Sequence, residues 1–164
     1  MMNLKKLYPL ASLFLLLAVA VGPASANGAG KSLAEFEPQL SQEFILLLNE
    51  ADVEKGEVIF MRKCSSCHEH EQSGGHWKGP HLWNIIGRKA GSVPGFEFSD
   101  AMRGSGHRWN LAALNYYLTR TDQAVPGLAM NFRGIKSDKS RASLIAFLRT
   151  LSDNPVSLPN SSSK

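Results

Sequence analysis

Two cysteines and a histidine stand together in the stretch Cys64-Ser65-Ser66-Cys67-His68, which has the pattern C-x-x-C-H. Two thiols at this spacing can add to the two vinyl groups on one edge of a porphyrin, and the adjacent imidazole can then reach the iron from one face. The chain contains two cysteines in total, so the motif uses both and leaves no odd thiol. The pattern therefore predicts one covalently attached haem c, with His68 as an iron ligand.

Three other roles for these residues stay open on the pattern alone. A C-x-x-C can be a dithiol redox pair, but such a pair expects a βαβ context and gives the adjacent histidine no role. A zinc site needs about four ligands, and although His70 and His76 are available, no second pair has finger-like spacing. A disulfide across two intervening residues would be strained. Each alternative explains less of the motif than haem attachment does.

The composition limits which class of fold and which classes of partner the sequence predicts. The chain has 164 residues, of which 43% are hydrophobic and 20% are charged, as in an ordinary globular domain. Without Lys5 and Lys6, which belong to a predicted leader, the 18 basic residues become 16 against 14 acidic ones, a net charge of +2. There is no Walker loop and no clustered Lys/Arg run, so nucleic acid is not a predicted partner.

Residues 1–26 have the features of a secretory signal peptide. Two early lysines precede the apolar run Leu10–Val21, and Ala24–Ala26 is a small-residue cleavage site, which places the mature N-terminus at Asn27. The apolar run is short for a bilayer span, which needs about 20 residues. We expect export to the periplasm. Membrane association is expected only if this segment stays uncleaved as an anchor.

Residues 27–51 are predicted to be a leader or linker with a possible short helix. We expect Pro38 to start this helix, and we expect the helix to pack on the domain surface. A spacer or a partner-binding helix is the alternative. The apolar side chains that recur at helical spacing are Phe36, Leu40, Phe44, Leu47 and Leu48.

Residues 52–152 contain the signals of a single helical domain. Asp52, Asn110 and Ser137 are candidate N-caps of three helices, and no alternating strand pattern is present. Gly56 is unfavourable within the first of these helices, but it makes sense if the last helix crosses closely there. Residues 153–164 are rich in Ser, Pro and Asn and are predicted to be a disordered tail.

Residues 52–152 resemble the class I cytochromes c, the soluble monohaem type of mitochondria and bacteria. The family pattern can be laid from Cys64 to Leu151 without a gap, and the similarity is greatest to alphaproteobacterial periplasmic or membrane-tethered electron carriers. The resemblance implies an all-α class I cytochrome c fold. In that fold helices and loops surround one covalent haem, and the first and last helices cross.

The resemblance also implies a set of haem-site residues. Cys64 and Cys67 match the haem-linking cysteines, and His68 and Met130 match the two axial iron ligands. Met130 follows Pro126-Gly127 as in the family, whereas Met61 and Met102 lack this context. The other positions that match family residues around the haem are Pro80, Arg88, Trp109, Tyr117 and Phe132.

Each of these further residues has an implied role. The Pro80 carbonyl would accept a hydrogen bond from the ligand histidine and fix its tautomer. Arg88 and Trp109 would lie near the haem propionates. Tyr117 would lie beside the ligand methionine, and Phe132 at the haem edge.

The chain departs from the family pattern in two respects. Phe98, Met102 and Leu128 replace a Tyr, an Asn and a Thr that carry hydrogen-bonding groups around the haem. The docking lysines of the mitochondrial type are also largely absent, although Lys63 and Lys136 remain.

We therefore expect a monomeric periplasmic carrier that shuttles single electrons between redox partners such as an oxidase, a reductase or a dehydrogenase. We expect no enzymatic activity, because His68 and Met130 would close both axial positions of the iron. One alternative is a haem enzyme or sensor in which Met130 dissociates and peroxide or a gas binds. Another is a dedicated electron-accepting subunit of a dehydrogenase.

Overall fold

A computed structural model describes residues 30–161, so the predicted signal peptide lies outside the described residues. The described residues form six helices and contain no named strand. One isolated antiparallel bridge joins Lys89 and Arg108. No helix within 30–161 is long and apolar enough to cross a membrane. The helices are α1 (Gln42–Asn49), α2 (Val53–Lys63), α3 (Asp100–Gly104), α4 (Leu111–Thr119), α5 (Thr121–Ala124) and α6 (Asp138–Thr150).

Helices α2 and α6 cross at Gly56, as the sequence predicts. A Cβ atom at this position would run into the backbone of Ser143 and the side chain of Phe147. The close approach buries Phe60 and Leu144 completely, each with 0% of its surface exposed. Gly56 therefore lowers the helix propensity of α2, but its lack of a side chain allows α6 to pack closely against it.

The three predicted N-caps are present. The Asp52 carboxylate accepts from the Lys55 N–H at 2.9 Å, and the Asn110 side chain accepts from the Ala113 N–H at 2.7 Å. Ser137 caps α6 in the same way. These local bonds satisfy N–H groups that have no acceptor inside the first turn of a helix.

Helix α3 is not among the three helices that are predicted from their N-caps. It begins after Ser99, whose side chain accepts from the Met102 N–H at 3.3 Å. With five residues it is too short to show helical periodicity in the sequence.

Helix α1 begins at Gln42 and not at Pro38, because the Ser41 side chain caps it by accepting from the Phe44 N–H at 3.2 Å. Phe44 and Leu48 are 3% and 1% exposed and belong to the hydrophobic core, where α1 packs against α6. One face of α1 therefore packs on the rest of the domain, as expected, and its buried side chains join the hydrophobic core.

The structure also differs from the expectation of a disordered tail, at least for residues 153–161. The Asp153 carboxylate accepts from the Asn84 side chain at 2.5 Å, and the Pro159 carbonyl accepts from the Asn49 side chain at 3.0 Å. The polar composition that suggests disorder here provides hydrogen-bonding groups that find partners on α1 and on the loop around residue 84.

Candidate haem site

A cavity of about 550 Å³ lies between the turn after α2, the loops of residues 78–102 and the loop of residues 128–132, with α4 and α6 at its back. Its walls are mainly apolar. Every residue that the sequence analysis assigns to the haem lines this cavity. These residues are Cys64, Cys67, His68, Pro80, Arg88, Trp109, Tyr117, Met130 and Phe132.

The two cysteines lie in a tight turn at the end of α2. The Cys67 and His68 N–H groups both donate to the Cys64 carbonyl at 2.9 Å. Burial raises the pKa of the Cys64 thiol to about 11, so this thiol stays protonated at neutral pH. A protonated thiol is a poor nucleophile for disulfide exchange, which disfavours the dithiol redox alternative.

The His68 ring is held in one orientation. Its Nδ1–H donates to the Pro80 carbonyl at 2.7 Å, because a carbonyl can only accept. Burial lowers the pKa of His68, which favours the neutral imidazole with a lone pair on Nε2. A Cβ at Gly79 would collide with the ring, so glycine is needed beside it. The arrangement presents a neutral nitrogen donor, of the kind that binds iron.

A thioether enters the cavity from the loop that follows α5. The Tyr117 hydroxyl lies 4.0 Å from Met130 Sδ, and burial raises the pKa of this phenol, which keeps it a donor. The Thr121 hydroxyl donates to the Phe132 carbonyl and closes the base of the loop. The Leu128 N–H donates to the Val125 carbonyl at 3.2 Å within it.

Few other side chains compete as iron ligands. His68 is the one histidine of the five in the chain that lines the cavity. Among the described methionines, Met61 is 50% exposed and does not line the cavity, whereas Met102 does. Met130 is distinguished from Met102 by its contact with the buried Tyr117 hydroxyl.

Arg88 and Trp109 bring N–H donors to the cavity, and Arg88 also brings a positive charge. The Arg88 guanidinium donates to the carbonyls of His81 at 2.9 Å and Trp83 at 3.3 Å, and no carboxylate within residues 30–161 forms a salt bridge with it. Burial lowers the pKa of Arg88. Trp109 is 6% exposed, and its indole N–H donates to no acceptor in the described part of the chain. Both groups suit a ligand that carries carboxylates.

Three apolar side chains stand where the family pattern has polar ones, and all three line the cavity: Phe98, Met102 and Leu128. Phe98 packs edge-on against Phe96, with ring centroids 4.9 Å apart. This part of the cavity wall therefore lacks those hydrogen-bonding groups.

His76 has a structural role that the sequence analysis missed. Its Nδ1 accepts from the His81 N–H at 3.2 Å, so its Nε2–H donates to the Pro94 carbonyl at 2.8 Å. The ring thus joins two loops that form one side of the cavity. No local signal reveals this role, because Pro94 lies 18 residues away in the sequence.

The residues present fit a covalently bound haem c. The thiol pair matches the vinyl groups of this cofactor, and the imidazole held against Pro80 matches its iron. The apolar walls match the ring, and the guanidinium without a salt bridge matches the propionates.

The family model described as cytochrome c matches residues 53–152. The chain belongs to the cytochrome c family. Members of this family are electron carriers that hold haem c through C-x-x-C-H, and Cys64, Cys67 and His68 supply that motif here.

Related cytochromes c come from bacteria and from eukaryotes. A cytochrome c homolog of Bradyrhizobium diazoefficiens is 41% identical over 117 residues, which cover 71% of this chain and 63% of that protein, less than two thirds of its length. Cytochrome c2 of Rhodomicrobium vannielii is 44% identical over 99 residues, 60% of this chain and 78% of that protein. Cytochrome c of Gibberella zeae is 41% identical over 98 residues, 60% of this chain and 92% of that protein.

Proposed function

We propose that this protein is a one-electron carrier whose haem iron takes His68 and Met130 as axial ligands. The observation that carries the proposal is that one cavity receives both a neutral imidazole held by Pro80 and a thioether beside Tyr117. The haem, when bound, supplies the Fe(III)/Fe(II) couple. The side chains hold the ligands, exclude water and keep the same positions in both oxidation states.

The ligand set and the walls favour the reduced state. A soft thioether favours the lower oxidation state, and His/Met ligation is associated with high potentials. The apolar side chains around the cavity, including Phe98, Met102 and Leu128, disfavour the extra positive charge of the oxidised iron.

Two protein ligands would leave no open position on the iron, so we propose no catalysis there. The test is exposure of the reduced wild-type protein to carbon monoxide at neutral pH, together with an optical redox titration. We expect no carbon monoxide complex and a one-electron transition. Ready binding of carbon monoxide would contradict the carrier and support the enzyme or sensor in which Met130 dissociates.

We further propose a periplasmic, monomeric protein whose mature chain begins at Asn27. The support is the early lysine pair, the short apolar run and the small-residue site at Ala24–Ala26. N-terminal sequencing of material from fractionated cells tests the cleavage, and sedimentation tests the monomer. Intact precursor in the membrane fraction would favour the anchored alternative.

We propose redox proteins, such as an oxidase, a reductase or a dehydrogenase, as its partners. The support is that three exposed residues, Lys63, Lys78 and Ala129, also line the cavity, so that the cavity wall reaches the surface there. A partner that docks there would come close to the cofactor. Purification of the protein with its natural donor or acceptor, followed by rate measurements, tests this point.

A further inference from the structure

We propose that segment 31–36 holds the base of the Met130 loop in place and thereby sets how readily Met130 leaves the iron. This inference rests on the proposed ligation by His68 and Met130. It goes beyond that ligation, because the segment lies outside the residues matched by the family model, 53–152. The proposed cleavage after Ala26 would leave the segment in the mature protein.

The first contact is between Leu33 and the end of α5. The Leu33 N–H donates to the Ala124 carbonyl at 2.8 Å. Ala124 is the last residue of this single-turn helix, so no later residue of α5 can donate to its carbonyl. Leu33, Ala124 and Val125 are 5%, 1% and 2% exposed. The leader therefore satisfies a buried carbonyl at the point where the Met130 loop begins.

The second contact is between the same segment and α4. The Tyr116 hydroxyl donates to the Lys31 carbonyl at 2.7 Å, and the rings of Phe36 and Tyr116 lie 5.4 Å apart. The next residue along α4, Tyr117, places its hydroxyl near Met130 Sδ. Segment 31–36 thus contacts both helices that position the methionine.

The Met130 loop has few internal restraints of its own. Pro126, Gly127 and Ala129 are exposed, so three of the residues between Val125 and Met130 have little buried surface. Regions with few buried contacts open locally at a small free energy, well below that of global unfolding. The burial of the Leu33 side chain would therefore supply a large fraction of the free energy that keeps this loop closed.

Binding of an external ligand measures this opening. A small ligand such as imidazole can take the sixth position only when Met130 has left, so its apparent affinity equals the intrinsic affinity multiplied by the fraction of open protein. A change in the loop equilibrium therefore appears directly as a change in the apparent dissociation constant. A mere loss of global stability does not change this constant.

The test compares two leucines of the leader in the ferric holoprotein. Leu33→Ala should raise the apparent imidazole affinity about tenfold, through a larger open fraction. Leu48→Ala is the matched control, since Leu48 is also buried, at 1% exposed, but belongs to α1, which packs on α6. The control should lower the thermal midpoint while its imidazole affinity stays within about twofold of wild type.

A further variant isolates the backbone donor. Leu33 is the second residue of a turn in which the Glu35 N–H donates to the Ser32 carbonyl at 3.0 Å, a position that accepts proline. Leu33→Pro removes the N–H as well as the side chain, so its imidazole affinity should exceed that of Leu33→Ala by about threefold or more. Amide exchange at Leu128 should become faster in both Leu33 variants and stay unchanged in Leu48→Ala.

Met130→Ala separates failure of this inference from failure of the proposed function. If Met130→Ala does not raise imidazole affinity, Met130 is not the sixth ligand and the proposed function falls with the inference. If Met130→Ala raises it but Leu33→Ala behaves like Leu48→Ala, only the inference about segment 31–36 is overturned. A tenfold gain confined to the Leu33 variants supports it.

Discussion

The two sides of the cavity hold their candidate ligands in different ways. On the proximal side (residues 64–80), His68 lies in a turn with backbone hydrogen bonds to Cys64, its Nδ1–H is fixed by Pro80, and Gly79 fits against its ring. On the distal side (residues 125–132), Met130 comes from a largely exposed loop, and its sulfur has a 4.0 Å contact with Tyr117.

The difference indicates which of the two proposed iron ligands leaves more readily. The proximal imidazole is adjacent in sequence to the haem-linking cysteines and has a short hydrogen bond, so it cannot move far while the haem stays attached. The distal thioether is only a weak hydrogen-bond acceptor for Tyr117. Its loop is held by hydrogen bonds made by Thr121 and Leu33. We therefore expect ligand exchange to occur on the methionine side.

The largest expected effect is on the proximal side. Replacing both cysteines, Cys64→Ala with Cys67→Ala, should leave haem that acid–acetone extracts completely, because no thioether bond remains. The unaltered protein should retain its haem under the same treatment. Ser66→Ala, between the two cysteines, is the control and should behave like wild type. Haem that extracts cleanly from the unaltered protein would contradict covalent attachment.

On the distal side, Met130→Ala should open the iron. The reduced variant should bind carbon monoxide readily, and its midpoint potential should fall, because the soft thioether no longer stabilises Fe(II). Met102→Ala is the matched control, since Met102 also lines the cavity. If Met102→Ala opens the iron and Met130→Ala does not, the distal ligand has been assigned to the wrong methionine.

A smaller effect is expected from Gly79→Ala, which tests how tightly the proximal ring is held. The added methyl group would meet the His68 ring, and such overpacking costs about 1–3 kcal/mol of the free energy of unfolding. Denaturant unfolding of the holoprotein measures it. Gly75→Ala is the control, since a Cβ there meets nothing within 4 Å. Equal stability of the two variants would show that the ring has room to move.

The residues that line the cavity show the same division in their charge: Lys63 and Lys78 belong to or adjoin the proximal segment, whereas Leu128 and Ala129 of the distal segment are uncharged. A few exposed lysines steer a partner weakly, because charges more than about 10 Å apart are screened at 0.1 M salt. We expect electron-transfer rates with the natural oxidase or reductase to depend only modestly on ionic strength.

Charge reversal at the two lysines checks that expectation. Lys63→Glu with Lys78→Glu should lower the rate at low salt by less than about tenfold. A steep fall of the wild-type rate with salt, abolished in this variant, would show instead that these lysines do steer the partner.

The smallest expected effect concerns Asp153, which supports the loop that follows the proximal side. Hydrogen bonds from Asn84, Trp83 and Gln72 hold the pKa of the Asp153 carboxyl below its ordinary value. A lowered folded-state pKa contributes stability that is present above the unfolded-state pKa and is lost as the pH falls through the folded-state value.

The stabilisation from Asp153 should therefore be complete at neutral pH and disappear in acid. Asp153→Asn should lower the urea midpoint slightly at pH 7. Between about pH 5 and pH 3, the urea midpoint of this variant should fall less than that of the wild type. The variant and wild type should converge at the acid end. A constant difference across the whole range would mean that the charge of Asp153 does not matter.

Much of the candidate site could be predicted because its signals are local. The C-x-x-C-H turn depends on residues within one helical turn, and the caps Asp52, Asn110 and Ser137 each act on an N–H three residues away. The gap-free family pattern then placed the more distant residues, such as Arg88 and Met130, at the same cavity.

Other features could not be predicted, because no local signal in the sequence indicates them. Helix α3 is too short for periodicity, and the start of α1 was misplaced because Pro38 is a weaker start signal than the Ser41 cap. The tail of residues 153–161 has a composition typical of disorder, yet its carbonyls accept from α1.

The sequence by itself determined the cofactor, the helical class and the candidate axial ligands, because covalent attachment, capping and ligand chemistry depend on residue type and short spacing. Only the tertiary structure decided that the leader belongs to the core and that Leu33 meets Ala124, 91 residues later in the chain. Contacts over such separations depend on how the helices pack. A buried backbone carbonyl accepts from whatever N–H the packing brings to it, whichever side chain that residue carries.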